Sequence, residues 1–176
     1  NNKKKNVVSI SRVDFDKHTD IILKANKKLN NPVKIYGALN DLYVYHGGLK
    51  QLGFKKYYKG KFEKTFEAIG NILKDAKFVV DLSAIKHDGG GSQYTFLEAI
   101  YYGCALVLNK KWIDGTNSIF KDKYNAKPPG GEGFFAHYDG VFIFKDKNKA
   151  EQEGWYKYTD YFINALVALD KCTKNN

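Results

Sequence analysis

Arg12 is the only arginine in a chain that uses lysine for every other side-chain positive charge, and Lys17 follows it within the segment Ser11-Arg12-Val13-Asp14-Phe15-Asp16-Lys17. A guanidinium stays ionised and offers a planar fork of donors, whereas an ammonium acts as a compact point charge. Together they suit an oxyanion with several oxygens. A second group of residues points the same way. Asp88 is followed by Gly89, Gly90 and Gly91, then Ser92 and Gln93. Consecutive glycines let a backbone take positive φ and approach a ligand closely, and Ser92 is suited to cap a helix. The unpaired N–H groups of such a helix start form an anion site, with phosphate as the expected occupant.

These residues need a scaffold, and the surrounding sequence supplies one. Lys77 to Asn109 reads as strand, glycine-rich loop, helix and strand. Phe78 to Leu82 is an apolar run suited to a buried parallel strand. Phe96, Leu97, Ala99 and Ile100 give the following helix its apolar face, Gly103 ends it, and Cys104 to Leu108 is the next strand. Upstream, Asn6 to Ile10 predicts the first strand, and a helix runs from about Asp16 or Lys17 to Leu29. Val33 to Tyr36 forms a second strand ending at Gly37. A helix over Leu42 to Leu52 is weakened by Gly47 and Gly48, and a third strand covers Tyr57 to Gly60. Phe66, Ile69, Ile72 and Leu73 mark a helix closing near Ala76. Beyond Asn109 we expect a turn-rich loop over Lys127 to Gly133 and a strand at Val141 to Phe144. A closing helix at Trp155 to Leu169 would bury Tyr158, Phe162, Leu166 and Leu169.

Strands alternating with helices predict an α/β fold, a Rossmann-like parallel sheet with helices on both faces, in one domain over residues 1–176. Ligands of such sheets collect at the carboxyl ends of the strands. Arg12, Lys17 and the glycine loop all belong to that edge.

Composition narrows the partners. Hydrophobic residues make up 43% of the 176, enough for one core. No stretch is long and apolar enough to span a membrane, and the start NNKKKN lacks the apolar segment of a signal peptide. We therefore expect a cytoplasmic protein, with peripheral membrane association as the alternative. Methionine is absent, which predicts a domain taken from a longer chain. Cys104 and Cys172 have no metal-ligand spacing, so neither a disulfide framework nor a metal site is indicated. His18 and His87 are read as loop or helix residues, not as bases. The net charge of +10 favours anionic partners: phosphorylated ligands, nucleic acid or acidic lipid headgroups.

The order SRVDFDKH after a first strand, a strand ending in Tyr36-Gly37, then YKGK, a further strand, a glycine loop and LEAIYYGCALVLNK resembles the C-terminal half of a GT-B glycosyltransferase. This is the donor-binding half, of the retaining group 1 type, and the likeness covers about residues 7–109. Arg12 and Lys17 match the arginine and lysine that clamp the diphosphate of a sugar nucleotide, with Ser11 where glycine is usual. Glu98-Ala99 and Gly103 match the second half of the family's E-x-x-x-x-x-x-x-E loop. The resemblance implies that Glu98 accepts hydrogen bonds from the ribose hydroxyls. Gly90 stands where the family carries its first glutamate, so Gly89, Gly90, Gly91 and Ser92 would hold the sugar and β-phosphate through backbone amides. Asp88 or Gln93 would supply the side-chain contact, and Gly37 and Tyr94 complete the set. The base would be read around Gly60 to Phe62.

The implied reaction moves a hexose from a nucleoside diphosphate to an acceptor hydroxyl, with Arg12 and Lys17 as the catalytic pair and no metal or other cofactor. The acceptor would be a glycan, lipid or protein, with DNA ranked below them, and the acceptor half would be a separate N-terminal domain outside this chain. Two rivals are a non-catalytic nucleotide-sugar-binding module and a viral or phage transferase acting on nucleic acid.

Overall fold

The computed structural model describes residues 4–82, 94–109, 135–138, 141–144, 163–164, 166–167 and 170. Its centre is a sheet whose strands are β1 (Asn6–Ile10), β2 (Lys34–Tyr36), β3 (Tyr58–Gly60), β4 (Ala76–Asp81), β5 (Ala105–Asn109), β6 (Phe135–Tyr138) and β7 (Val141–Phe144). Their spatial order is β3-β2-β1-β4-β5-β7-β6. All neighbours pair in parallel except β6 and β7, which form an antiparallel edge. The connections from β1 through β2 to β3 run in one direction, and β4 then returns to the other flank of β1. The crossovers therefore diverge between β1 and β4, the switch point where open α/β sheets form their crevice.

Both faces of the sheet are covered because the strands are apolar on both sides. In β4, Phe78 and Val80 belong to one buried cluster and Val79 to the other; in β5, Val107 faces the first and Leu106 and Leu108 the second. This is the period of two expected of alternating side chains. The first cluster is completed by Ile21, Ile22 and Ala25 of α1 (Thr19–Asn26) and by Ile163 and Leu166. The second is completed by Ile69 and Leu73 of α4 (Phe66–Leu73) and by Phe96 and Ala99 of α5 (Tyr94–Tyr101). Phe96 is fully buried, and burial of such a side chain contributes about 1.5–3 kcal/mol.

Several boundaries differ from the sequence expectations. A 3-10 turn at Phe15–Lys17 and a left-handed His18 (φ 54°) precede α1, which stops at Asn26 instead of reaching Leu29. The helix expected over Leu42 to Leu52 is α2 (Asp41–His46), followed by turns. A β-carbon on Gly47 would lie 2.8 Å from the Tyr43 carbonyl, and Gly48 takes a positive φ, so the chain turns away there. A short helix α3 (Phe54–Tyr57), not foreseen, leads into β3. The helix α4 closes at Leu73, and Ala76 already opens β4. The strand β6 was also missed. Near the C-terminus the residues 163–164, 166–167 and 170 are helical, with Ile163 and Leu166 buried. Tyr158, Phe162, Leu169, Cys172 and the loop Lys127 to Gly133 lie outside the described residues. Among the described residues no helix is long and apolar enough to cross a membrane.

Candidate nucleotide-binding cleft

The carboxyl edge of the sheet is assembled by its own backbone. Ser11 N–H donates to the Tyr36 carbonyl (3.2 Å), Val13 N–H to the Ala38 carbonyl (2.8 Å) and Asn40 N–H to the Val13 carbonyl (3.0 Å), so the loops after β1 and β2 are zipped together. Gly37 N–H donates to the Gly60 carbonyl (3.0 Å), which ties in the loop after β3. Gly37 has φ +148°, and a β-carbon there would lie 1.7 Å from the Ser11 carbonyl oxygen. Only glycine lets the two loops approach so closely. Its place in the sequence-derived set is thus as scaffold: it sets the path of the chain that carries Arg12.

The segment after β1 is pinned further. The Asp14 carboxylate accepts from Phe15 N–H (2.7 Å) and from the Asn40 side-chain amide (2.9 Å). Phe15 packs edge-on against Tyr43, with ring centroids 5.0 Å apart. The Tyr43 hydroxyl donates to the Asp20 carboxylate (3.1 Å) and accepts from Asp20 N–H (3.0 Å), and burial pushes its pKa well above the usual range.

Between these loops and α5 lies a cavity of about 1320 Å³, larger than the roughly 300–1,000 Å³ typical of small-ligand sites. Arg12, Lys17, Gly37 and Glu98, expected from the sequence, all line it. Asp88, Gly89, Gly90, Gly91, Ser92 and Gln93 lie outside the described residues, as does His87, and Tyr94 enters only as the first residue of α5.

Beyond the start of the expected base-reading loop, the cleft recruits residues that the sequence reading did not assign to a site. The segment Lys61 to Phe66, between β3 and α4, forms one wall; Thr65 caps α4 by accepting from Ala68 N–H (3.1 Å), and Thr95 of α5 adds a hydroxyl. The base-reading loop expected around Gly60 to Phe62 covers the start of that wall, whereas Glu63, Lys64 and Thr65 carried no such expectation. Among the lining side chains, Arg12, Lys17, Lys61 and Lys64 stand against Glu63 and Glu98, four cations less two carboxylates, a net charge of +2.

Glu98 lies within α5 and is partly buried, and that desolvation raises its carboxyl pKa. A carboxylate that pays for desolvation is a strong acceptor once hydroxyl donors are offered to it. Arg12 is exposed at 66% of its side chain and meets Asp14 at 3.8 Å. An exposed ion pair at that distance is worth about 0–1 kcal/mol, which leaves the fork's charge-assisted hydrogen bonds, about 1.5–3 kcal/mol each, available to an anion. The cleft therefore joins a cationic end (Arg12, Lys17), an acceptor (Glu98) and an apolar flank (Phe62, Phe66 and Ile69). These are the complements of a diphosphate, a diol and a flat ring.

Solved structures share this architecture. The lipopolysaccharide outer core galactosyltransferase WaaB, in its apo form, matches with a TM-score of 0.57 at 14% identity over 97% of this chain and 41% of that one. The fold is that of one half of a GT-B glycosyltransferase. A variant of S. aureus TarM, solved with Fondaparinux, alpha-GlcNAc-glycerol and UDP, matches this GT-B half with a TM-score of 0.53 at 17% identity, over 98% of this chain and 31% of that one. The pneumococcal O-GlcNAc transferase GtfA, in complex with UDP and GlcNAc, does so with a TM-score of 0.50 at 17% identity, over 96% and 31%. The chain thus spans between 31% and 41% of the length of these three proteins. No protein-family model matches the chain, and no curated protein matches its sequence.

Proposed function

We propose that this chain is the donor-binding half of a glycosyltransferase, that it holds a nucleoside-diphosphate sugar in the cleft at the carboxyl edge, and that a hexose passes from it to an acceptor hydroxyl. The observation that carries this reading is the convergence of Arg12, Lys17 and Glu98, from the loop after β1 and from α5, on one cavity at the switch point of the sheet. TarM and GtfA, which share the fold, were each solved with UDP, and UDP is our first choice of nucleotide.

In this reading the diphosphate lies against Arg12 and Lys17, and Glu98 accepts from the ribose hydroxyls. The base rests against Phe62 and the apolar wall beyond it. Breaking the bond between the sugar and the diphosphate leaves negative charge on the departing oxygen. Two cations held against the diphosphate stabilise that charge as it develops, which favours the transition state over the bound donor. The diphosphate is met by protein cations, so transfer needs no divalent metal, and adding a chelator should leave UDP affinity unchanged. We take the stereochemical course to be retaining. The acceptor, a glycan, lipid or protein hydroxyl in preference to DNA, would be held by an N-terminal half, and turnover by this half alone should be slow because the cleft closes only between two domains.

The absence of a glutamate at Gly90 favours a second reading, a module that binds nucleotide sugar without transferring it. Calorimetric titration of UDP, GDP, ADP and their hexose derivatives tests the main reading. Saturable binding of one nucleotide, weakened in Arg12→Ala and in Glu98→Ala, is the expected result, and binding unaffected by either substitution would overturn it. Binding without transfer when an acceptor half is supplied would select the second reading.

A further inference from the structure

Arg12 lines two cavities. Besides the large cleft, a second cavity of about 420 Å³ is bounded by Arg12, Asp14, Ala38, Asn40 and their neighbours in α2. Asp14 and Asn40 line the smaller cavity and not the larger. Asp14, which meets the guanidinium, therefore borders the smaller cavity and not the proposed donor cleft, and Asn40 lies behind it.

The bonding of Asp14 is divided between its two oxygens. Oδ1 accepts from Phe15 N–H at 2.7 Å and from Asn40 Nδ2 at 2.9 Å, while Oδ2 lies 3.8 Å from Nη2 of Arg12. Asn40 is itself fixed, because its Oδ1 accepts from Leu42 N–H (3.1 Å) as the cap of α2. Two hydrogen bonds on Oδ1 set the plane of the carboxylate and hence the direction of Oδ2. The carboxylate is mostly shielded, at 19% exposure, against 66% for Arg12.

We propose that Asp14, oriented by Asn40, is a positioning residue that holds the Arg12 fork toward the donor cleft. This rests on the reading of that cleft given above. An exposed arginine otherwise samples many rotamers, and a bound diphosphate would have to immobilise it. Restricting those rotamers beforehand removes part of that cost. The alternative, that Asp14 competes with phosphate for the guanidinium, is disfavoured by its place in the other cavity.

Asp14→Asn tests this cleanly. The amide oxygen can keep both structural hydrogen bonds while the group facing Arg12 loses its charge. We expect the variant to melt as the parent does and to bind UDP roughly 2- to 10-fold more weakly. It should have no further effect in an Arg12→Ala background, where there is no fork to orient. Asn40→Ser, which keeps a helix-capping hydroxyl but removes the amide donor to Asp14, should give a smaller loss in the same direction. Unchanged or tighter UDP binding in Asp14→Asn, or an equal loss in the Arg12→Ala background, would overturn the proposal. If Arg12→Ala itself leaves UDP affinity untouched, the reading of the cleft fails; if Arg12→Ala weakens binding and Asp14→Asn does not, only the positioning role fails.

Discussion

The two edges of the sheet use cations in opposite ways. At the amino edge, Lys4 enters beneath the sheet and its ammonium donates to the carbonyls of Leu73 (3.1 Å) and Tyr102, and lies 3.8 Å from the Cys104 sulfur. Leu73 closes α4 and Tyr102 follows α5, so a positive charge meets the negative ends of two helix dipoles. The Cys104 thiol is buried and donates to the Leu73 carbonyl (3.3 Å); burial pushes its pKa up, and the Lys4 ammonium offsets part of that rise. At the carboxyl edge, Arg12, Lys17, Lys61 and Lys64 border open space instead. At one edge the charge meets the chain's own carbonyls, and at the other cationic side chains line a cleft. Basic side chains thus meet the chain's own carbonyls at one end and line a cavity, our proposed donor site, at the other, and position relative to the strands separates the two.

That division can be broken or sharpened by substitution. The largest effect is expected at Gly37. Gly37→Ala drives a β-carbon into the Ser11 carbonyl, so we expect a loss of about 3 kcal/mol in stability by denaturant unfolding, together with loss of nucleotide binding. A tolerated alanine would show that the loops after β1 and β2 are not held this closely. Next comes Arg12→Ala, which should weaken UDP binding by about 2 kcal/mol, roughly 30-fold, with the melting temperature nearly unchanged. A fall in melting temperature in place of affinity would move Arg12 to the structural class. The converse is Lys4→Ala. It should cost about 1–2 kcal/mol, lowering the melting temperature by roughly 2–8 °C, and leave UDP affinity intact.

The smallest effect is a pH dependence. Desolvation raises the Glu98 pKa, so its carboxyl takes up a proton at a higher pH than an ordinary glutamate. Compared with the unfolded chain, the folded protein penalises the ionised form. The contribution of Glu98 to stability is therefore best below its unfolded pKa and declines as pH rises through the folded value. Ribose binding has the opposite sign, because it needs the carboxylate. UDP affinity should fall on acidification through the raised pKa, and Glu98→Gln should flatten that profile. A parent profile that stays flat down to the ordinary glutamate range would remove Glu98 from the ribose contact.

Much of the frame was legible beforehand. The apolar runs ending at Ile10, Tyr36 and Leu108 became β1, β2 and β5 within a residue or two, because buried parallel strands leave continuous apolar stretches. Arg12, Lys17 and Glu98 stood out for their chemistry and their place after strands, and they do border one cavity. What escaped was decided by tertiary contact. The left-handed His18 leaves little trace in periodicity, whereas the early end of α2 at His46 had its local warning in Gly47 and Gly48. The base-reading loop expected around Gly60 to Phe62 does supply the start of one wall, but the rest, Glu63 to Phe66, joins the cleft through the order in which β3, β2 and β1 lie side by side, a long-range fact that no local pattern contains. The sequence reading assigned no role to Asp14 or Asn40, and their bond across 26 positions goes with the pairing of Val13 and Leu39.

A single arginine gives a single side-chain Nε–H resonance in a nitrogen-15 spectrum, so Arg12 can be watched without assignment by mutagenesis. Titrating the protein with UDP should move that resonance saturably, with the same midpoint as calorimetry and with no movement when uridine replaces UDP. An Arg12 signal that stays fixed while UDP binds would contradict the placement of the diphosphate on this guanidinium.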